Sequence, residues 1–334
     1  MRKIKIAQIG LNTYSHSVEI FESLKKQSDL FEIAGYVLPE NERERLPEKA
    51  KTLAGYKELT LDAVLNDPEI EAVAIETDEI YITKYALLCA KAGKHIHMEK
   101  PGSQNPADFE ALISVMKKTG KVFHTGYMYR YNPEVIRLME RIKSGQLGQI
   151  VSVEAQMNSN HSDEQRRFLS NFDGGIMFFL GCHLIDLILQ IQGAPQNVIP
   201  IIKNTQKSGV DVTDYAIAVL EYDNGISFAK TCSVEKGGFA RRQLVVTGTK
   251  GTIELKPFEM HNGGTVQYTG VTEFLIDNPE WIYMGENRKS DFYDRYDDMM
   301  AAFAAMVRGE RQNPYTLDYE LSLYKLLLKC CGVK

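Results

Sequence analysis

The first third of the chain alternates short apolar runs with stretches whose apolar residues recur at helical spacing. The apolar runs have the length of strands that are buried on both faces. Repeated strand and helix units of this size predict a parallel sheet with right-handed crossovers, as in a doubly wound Rossmann domain. The predicted strands are 4–9, 31–38, 70–77, 95–98 and 122–126, and the predicted helices are one after Gly10, 61–65, 80–92 and 106–119.

The second half of the chain has longer strands and fewer helices. Residues 150–157 alternate apolar and polar positions, and the Asp223-Asn224-Gly225 turn predicts a hairpin between 215–222 and 226–231. A second hairpin is predicted at 244–255, and helices at 173–188 and 291–307. This pattern predicts an α+β domain with a mostly antiparallel sheet. Because 334 residues exceed one ordinary core, we predict two domains, 1–125 and 126–334.

Charge and cysteine content exclude several classes of partner. The formal net charge of -5 gives no basic excess, which argues against nucleic acid or an acidic membrane surface. Five cysteines without metal-ligand spacing favour reduced thiols over a disulfide framework. The chain starts directly with a strand pattern, without a signal peptide or an apolar run that could span a bilayer. The sequence therefore predicts a cytoplasmic protein without a nucleic-acid or membrane partner.

A strand, a glycine turn and a helix at the N-terminus follow the order of a dinucleotide-binding unit. In the G-x-G-x-x-G register the three glycine places hold Gly10, Asn12 and Ser15, so only the glycine of the tight turn is kept. Asn tolerates positive φ and Ser is small, so a phosphate can still approach the helix N-terminus. We expect a dinucleotide with its pyrophosphate over residues 12–16, which include Thr13 and His16.

The end of the second predicted strand leaves the choice between NAD and NADP open. An NAD site usually has a carboxylate there for the ribose hydroxyls, and Leu38 holds that place. Glu40 is two residues further on and offers a substitute carboxylate. Arg43 and Arg45 offer partners for a 2′-phosphate instead.

A lysine stands where the fourth predicted strand leaves the sheet. Lys100 follows the 95–98 strand, and Pro101 fixes its own φ and biases Lys100 away from helical angles. Gly10, the Thr77-Asp78 pair and Lys100 each follow a parallel strand. The carboxyl ends of such strands meet at one edge, which is where ligands bind in open α/β sheets.

The ordered series of motifs resembles the glucose-fructose oxidoreductase/inositol dehydrogenase/MocA family. The matching stretches are Glu99-Lys100-Pro101, then 126–133 (GYMYRYNP), and 181–186 (GCHLID). The resemblance covers essentially the whole chain. It implies a Rossmann domain followed by an α/β domain whose large antiparallel sheet has one open face that often makes subunit contacts. It therefore also implies a homo-oligomer, a dimer or a tetramer.

The resemblance implies a division of roles among the candidate residues. Lys100 and His183 are the expected catalytic pair, with His183 lining the substrate pocket and acting in proton transfer. Many family dehydrogenases carry an aspartate four residues before this histidine, and Phe179 stands there in this chain. The expected dinucleotide-binding residues are Gly10, Asn12, Thr13, Ser15, His16, Leu38, Thr77, Asp78, Glu99, Lys100 and Tyr127.

Weaker candidates fall in segments that the family places near the cleft. Such residues suit a polyhydroxylated or anionic substrate. They are Arg130, Asn158, Arg166, Asp186 and Lys230, with His161 and Arg167 as further possibilities. Asp186 shares a helix face with His183 and is expected to support it. His95, His97 and His124 lie in predicted strands and do not form a metal-binding set, so no metal is predicted.

Three functions are compatible with these residues. The leading hypothesis is an NAD(P)-dependent oxidoreductase that moves a hydride between a nicotinamide and a hydroxyl-bearing carbon of a sugar, cyclitol or related small molecule. The second is a non-catalytic dinucleotide-binding sensor or scaffold, which the lost glycines and Phe179 favour but Lys100 and His183 disfavour. The third is a lyase or hydrolase that uses a tightly bound NAD transiently. The sequence does not identify the substrate.

Overall fold

The computed structural model describes residues 2–261, 263–275 and 282–333. Contacts within the chain divide it into two compact units. The first unit contains Met1–Met128 and Tyr296–Tyr324, and the second contains Tyr129–Arg295 and Lys325–Lys334. This division differs from the two consecutive predicted domains, because residues 296–324 return to the first unit.

The first unit contains the predicted doubly wound sheet. Its five strands are parallel and lie in the order β2-β1-β3-β4-β5. The strand at 95–98 and the helix at 106–119 have the predicted bounds. The elements are β1 (Ile4–Ile9), α1 (Ser17–Lys26), β2 (Phe31–Val37), α2 (Glu42–Arg45), α3 (Pro47–Ala50), α4 (Leu61–Asn66), β3 (Ala72–Ile75), α5 (Ile82–Lys91), β4 (His95–Met98), α6 (Pro106–Thr119) and β5 (Phe123–Thr125).

The strand order of the first unit places the candidate residues at one edge. The order reverses between β1 and β3, and ligands of open α/β sheets bind outside the carboxyl ends of the strands at such a point. Gly10, Glu76 and Glu99 each directly follow one of the three central strands. The predicted convergence of three strand ends is therefore confirmed.

The second unit is built on an eight-stranded sheet in the order β15-β14-β11-β10-β6-β9-β8-β7. Among the described pairings of this sheet only β6–β9 is parallel, and both predicted hairpins, β8–β9 and β10–β11, are present. Strands β12, β13 and β16 form a small separate sheet. The elements are α7 (Pro133–Lys143), β6 (Ile150–Asn158), α8 (Asp163–Leu169), α9 (Cys182–Gln192), β7 (Asn197–Lys203), β8 (Tyr215–Tyr222), β9 (Gly225–Cys232), β10 (Gln243–Gly248), β11 (Gly251–Leu255), β12 (Met260–His261), β13 (Val266–Tyr268), β14 (Gly270–Phe274), β15 (Glu286–Lys289) and β16 (Tyr293–Asp294).

The last two helices are α10 (Asp297–Val307) and α11 (Leu317–Cys330). The prediction of one helix over 291–307 is wrong for its first six residues. Tyr293 and Asp294 pair with β13 instead, and helical structure begins only at Asp297. Within the described residues, no helix has both the length and the apolar character needed to cross a bilayer.

One face of the large sheet packs against helix α9, which contacts β6 and β9. The strand alternation left open which set of residues faces outward, with Val153, Ala218 and Leu220 as examples, and these three are fully buried. The other alternate set of β8, which includes Ile217 and Val219, is the partly exposed one. The strand pattern predicted the alternation but not which set faces outward.

Candidate active site

The turn after β1 requires glycine. Gly10 has φ +91°, and a Cβ atom at this position would lie 2.5 Å from Cβ of Thr77. The Gly10 amide donates to the carbonyl of Val37 at 2.8 Å, which fixes the turn against β2. A larger residue would have to displace the end of β3, so this part of the dinucleotide fingerprint is structurally necessary.

Asn12 and Ser15, which replace the other two fingerprint glycines, hold the loop through their side chains. The Asn12 amide donates to Oγ of Ser17 at 3.2 Å, and the Ser17 amide donates to Oδ1 of Asn12 at 3.4 Å. The Ser15 hydroxyl donates to the Glu79 carboxylate. Lys49 donates to the carbonyl of Asn12 at 2.7 Å. Hydrogen bonds that involve side chains thus fix the conformation of this loop, which in the full fingerprint depends on glycines.

Two backbone amides of this loop already donate to carboxylates. The Leu11 amide donates to Oε2 of Glu42 at 2.9 Å, and the Thr13 amide donates to Oδ1 of Asp78 at 2.6 Å. Arg45 also binds Asp78 and lies 3.2 Å from the Thr13 hydroxyl. Amides that bind carboxylate oxygens can bind phosphate oxygens, and cations flank the loop, so these residues fit a dinucleotide pyrophosphate.

Buried carboxylates are concentrated at this edge of the sheet. Burial raises the pKa of Glu79 to about 7, although Lys100 and Ser15 act against it, and burial likewise raises the pKa of Glu99 to about 7. The pKa of Glu42 is raised to about 8 by burial. Sequence reasoning missed Glu42 and Glu79. The Asp78-Glu79 pair directly after Thr77 was the available signal for Glu79.

Lys100 is buried together with its neighbour Glu99. Nζ of Lys100 lies 3.7 Å from Oε1 of Glu99, and the Lys100 amide donates to the same oxygen at 2.9 Å. Both residues are 3% exposed. Tyr127, which follows β5, is buried as well, and its amide donates to the carbonyl of Thr125. A buried ammonium beside a carboxylate is fixed in place, as a catalytic lysine must be.

Leu38 and Glu40 lie at the end of β2, where an NAD site usually has a carboxylate for the ribose hydroxyls. Leu38 packs against the apolar cluster that contains Leu11 and Phe21. Oε1 of Glu40 accepts from Lys84 at 2.7 Å and from Tyr85 at 2.6 Å, which lowers the pKa of Glu40 and holds it on α5. Neither side chain is therefore placed to accept ribose hydroxyls.

Two arginines lie near the same strand end. Arg43 donates to the Tyr36 hydroxyl at 3.1 Å and pairs with Glu58. Arg45 bridges the Asp78 carboxylate and the Thr13 hydroxyl. His16, at the N-cap of α1, lies against Tyr296 with 5.3 Å between the ring centroids. Each arginine at the end of β2 is thus paired with a carboxylate, Arg43 with Glu58 and Arg45 with Asp78.

In the second unit, His183 follows an irregular stretch of helix. Residues Met177–Gly181 form a π-helix that leads directly into α9, and His183 is the second residue of α9. Phe179, within the π-helix, lies among aromatic rings, with centroids 5.8 Å from Phe168 and 6.1 Å from Phe172. An aspartate at 179 would enter this aromatic cluster.

A buried charged cluster adjoins His183. The Tyr129 ring meets the His183 ring edge-on, with centroids 4.9 Å apart and an angle of 81°. The Tyr129 hydroxyl donates to Glu259, which also binds Arg242 and Arg295. Sequence reasoning missed Tyr129, Glu259 and both arginines. Tyr129 lies in the 126–133 motif, but the other three are dispersed along the chain and carry no local signal.

Arg130 and Asp186, two of the predicted substrate-binding residues, bind each other. Nε and Nη2 of Arg130 donate to the two carboxylate oxygens of Asp186 at 3.0 and 2.8 Å, and both side chains are buried. Removing one partner of such a pair typically costs about 3–5 kcal/mol, because the other charge stays buried. The geometry favours a structural role that anchors α9 near His183.

Arg166 is fully buried and likewise bound internally. Its three guanidinium nitrogens donate to Asp214, to Asp163 and to the carbonyl of Lys207 at distances between 2.6 and 3.2 Å. These contacts connect α8 to the segment before β8. They favour a structural role for Arg166 as well.

Asn158 and Lys230 lie on the sheet face opposite to α9. In the β6–β9 pairing, Asn158 is opposite Cys232, and Gln156 is opposite Lys230. Side chains alternate along a strand, so these residues share the face of Phe228, whereas the buried Ala229 lies on the other face. Nζ of Lys230 lies 3.5 Å from Oε2 of Glu235. The structure therefore does not bring these two candidates together with His183.

The described ranges contain no cluster of three His, Cys, Asp or Glu side chains that could hold a metal ion. His97 and His124 form a buried pair with 2.8 Å between their Nδ1 atoms, and burial lowers the pKa of His97 to about 4. All five cysteines lie in the described part of the chain, and all are buried.

Two family models match the chain. Residues 4–127 match "Oxidoreductase family, NAD-binding Rossmann fold", and residues 135–254 match "GFO/IDH/MocA C-terminal domain".

Relatives and solved structures agree with these matches. The chain is 26% identical to trans-1,2-dihydrobenzene-1,2-diol dehydrogenase of Bos taurus, over 66% of this chain and 68% of that protein. It is 25% identical to scyllo-inositol 2-dehydrogenase (NADP(+)) IolW of Bacillus subtilis (66% and 61%). The fold superposes on aldose-aldose oxidoreductase from Caulobacter crescentus, crystallised with glycerol, with TM-score 0.78, 17% identity and coverage of 98% and 97%.

Proposed function

Because the chain belongs to the glucose-fructose oxidoreductase/inositol dehydrogenase/MocA family of NAD(P)-dependent oxidoreductases, we propose that it oxidises or reduces a hydroxyl-bearing carbon of a sugar, cyclitol or related polyhydroxylated small molecule. The observation that carries the proposal is that Lys100 and His183 are both present and buried, one at a strand end and the other on α9. Relatives named for diol and inositol substrates support the substrate class.

The two residues have complementary chemical roles in this proposal. The bound nicotinamide supplies or accepts the hydride. His183 takes the proton of the substrate hydroxyl or returns it, since imidazole has a pKa near 6.5 and exchanges protons at neutral pH. The Lys100 ammonium stabilises the negative charge that develops on the substrate oxygen.

The dinucleotide is held by the loop after β1 and by the ends of β2 and β3. The Leu11 and Thr13 amides, which now donate to carboxylates, are the donors for the pyrophosphate. Thr77 closes the turn against Gly10, and Leu38 contributes apolar surface. This assignment predicts dinucleotide binding without any added metal.

We expect NADP to bind more tightly than NAD. Glu40 is held by Lys84 and Tyr85, whereas Arg43 lies at the end of β2 and can bind a 2′-phosphate. Arg43→Ala should weaken NADP binding by roughly tenfold, because a charge-assisted hydrogen bond contributes about 1.5 kcal/mol. NAD binding should not change.

Calorimetric titration with NAD, NADH, NADP and NADPH measures this preference. Lys51→Ala is the matched control, since Lys51 is an exposed cation of the same region that pairs only with Glu48 nearby. Equal affinity for the phosphorylated and unphosphorylated dinucleotides would contradict the assignment of Arg43. Absence of binding by all four would contradict the proposed function itself.

We also propose that the open face of the large sheet joins copies of this chain. Ile199 and Ile201 on the edge strand β7 are each more than two-fifths exposed, and they align with Val219 and Ile217 on β8. Together they form an apolar strip across two strands on the face without α9. Such a strip is expected to be covered by a partner.

A variant of this strip tests self-association. Wild type should sediment as a dimer or tetramer at micromolar concentration, and the double variant Ile217→Glu/Val219→Glu should sediment as a monomer, because its charges would be buried in the interface. Ile136→Glu on α7 alters an isoleucine that is as exposed as Ile199 and Ile201 but lies outside the strip, and it serves as the control. A monomeric wild type would refute the proposed interface.

A further inference from the structure

The ring of Tyr129 restricts the orientation of the His183 ring. The two rings meet at 81° with centroids 4.9 Å apart, and both residues are at most 3% exposed. Edge-to-face contacts of this kind favour one relative orientation of two rings. Any motion of Tyr129 would therefore change the space in which the imidazole can turn.

The hydroxyl of Tyr129 is fixed at the far end of its ring. It donates to Glu259 and accepts from Nη2 of Arg295 at 3.1 Å. The ring also packs on Phe258, with centroids 4.7 Å apart. With its hydroxyl bound and its ring in contact with two other rings, Tyr129 has little freedom to move.

The charges of the cluster keep this hydrogen bond in one direction. Burial raises the pKa of Tyr129, and the Glu259 carboxylate raises it further, so the phenol stays protonated and donates. Burial alone would raise the pKa of Glu259, but Arg295 and Arg242 hold it below its usual range, so the carboxylate stays ionised and accepts. The pair behaves as a fixed support over the whole neutral pH range.

Stability does not account for this arrangement. Burying a carboxylate and two guanidinium groups is generally no more stabilising than apolar residues of the same volume. The cluster gathers residues from four separate segments, and Arg242 is further bound to Ser159 at 2.9 Å. A costly buried network that ends on a titratable side chain is typical of functional sites.

Among the neighbouring residues, Phe179 packs against Phe168 and Phe172, and both oxygens of Asp186 accept from Arg130. We propose that Tyr129, held by Glu259 and Arg295, is a positioning residue that orients the His183 imidazole for proton transfer. This inference rests on the proposed function, because it assigns a purpose to the orientation of His183.

Tyr129→Phe tests the inference, because it removes only the anchoring hydroxyl. The ring-proton NMR signals of His183, assigned by their loss in His183→Gln, should broaden or divide as the ring gains freedom. Turnover should fall by roughly tenfold to a hundredfold while KM stays within about threefold, because misplacement of a reacting group mainly lowers kcat. Glu259→Gln, which weakens the acceptor, should change the same NMR signals.

The control is Tyr324→Phe. Tyr324 is another buried tyrosine whose hydroxyl is bound, since it donates to the carbonyl of Ser103 at 2.6 Å, and it lies on α11. It should leave the His183 signals and kcat unchanged even if it lowers the melting temperature as much as Tyr129→Phe does. This comparison separates positioning from general stability.

The NMR measurement decides the inference separately from the proposed function. Unchanged His183 signals in both Tyr129→Phe and Glu259→Gln would overturn the inference, whether or not a substrate is known. Changed signals with wild-type kcat on a confirmed substrate would overturn it as well. A wild type that turns over no polyhydroxylated compound would instead contradict the proposed function.

Discussion

Replacing Lys100 by methionine should lower turnover by roughly a hundredfold to ten-thousandfold, and His183→Ala should have an effect of similar size. Methionine keeps most of the side-chain volume of Lys100 but cannot stabilise charge on the substrate oxygen. Alanine at 183 removes the group that exchanges the hydroxyl proton. Steady-state kinetics on a substrate found by screening polyols and sugars measures both losses.

Both variants should keep dinucleotide affinity within several-fold of wild type. The pyrophosphate donors assigned above belong to the β1 loop and are unchanged in either variant. Lys117→Met removes an exposed lysine that pairs with Asp318 and provides a matched control for the Lys100 substitution. If both single variants retain wild-type turnover on a confirmed substrate, the catalytic assignment is wrong.

Dinucleotide binding should weaken by up to roughly a hundredfold between about pH 6 and about pH 9. The Glu79 carboxylate binds Ser15 of the pyrophosphate loop, and its neighbours include Glu99, Glu76 and Lys100. Because the pKa of Glu79 is about 7, this carboxyl is largely neutral at pH 6 and ionised at pH 9. An ionised carboxylate repels the pyrophosphate, so binding favours the protonated form and takes up a proton.

The sign of the effect follows from linkage. A ligand that raises the pKa of a group binds more weakly as the pH rises above the pKa of the free protein, by up to about tenfold per pH unit for each proton taken up. The stability of the fold changes with pH in the same direction. The pKa of Glu79 is raised in the folded protein above its ordinary value of 4.5, so its contribution to the free energy of unfolding is fully present below pH 4.5. This contribution is lost as the pH rises through about 7.

Calorimetry in buffers of different ionisation heat measures the proton uptake directly. Glu79→Gln keeps a hydrogen-bonding partner for Ser15 but cannot ionise, so its affinity should depend on pH less than that of wild type. The dependence that remains is expected from Glu99 and Glu42, whose pKa values of about 7 and about 8 lie in the same range. Glu58→Gln, at an exposed carboxylate that pairs with Arg43, should retain the wild-type pH dependence. Wild-type affinity that is constant from pH 6 to pH 9 would contradict the role of Glu79.

The periodicity of the sequence predicted most of the first unit because buried parallel strands and amphipathic helices are local patterns. Strand β4 and helix α6 have the predicted bounds, and Asn105 and Gly120 supply the cap signals for α6. The start of α10 was not predictable in the same way. Residues 293 and 294 form a strand only because β13, far away in sequence, pairs with them.

The candidate residues also divide into those with a local sequence signal and those whose positions depend on distant parts of the chain. Gly10 and Lys100 follow strands directly, so their positions at the sheet edge could be inferred from local order. The irregular π-helix at Met177–Gly181, just before His183, has no sequence signature of its own. Charged partners from distant segments also determine which side chains are available to a substrate. Asp214 binds Arg166 internally, and Glu259 binds Tyr129, which lies 130 positions away in the sequence.

The measurement that tests the proposed activity most directly is the transfer of deuterium from nicotinamide C4. The protein is incubated with NADPH and NADH deuterated at C4 and with a panel of ketoses and oxidised cyclitols, and the products are analysed by mass spectrometry. We expect one deuterium on the carbonyl carbon that is reduced to the alcohol, with stoichiometric oxidation of the cofactor. This transfer should be lost in Lys100→Met. Product that forms without deuterium and without net cofactor oxidation, or dinucleotide that binds but stays unchanged with every compound, would contradict the proposed activity.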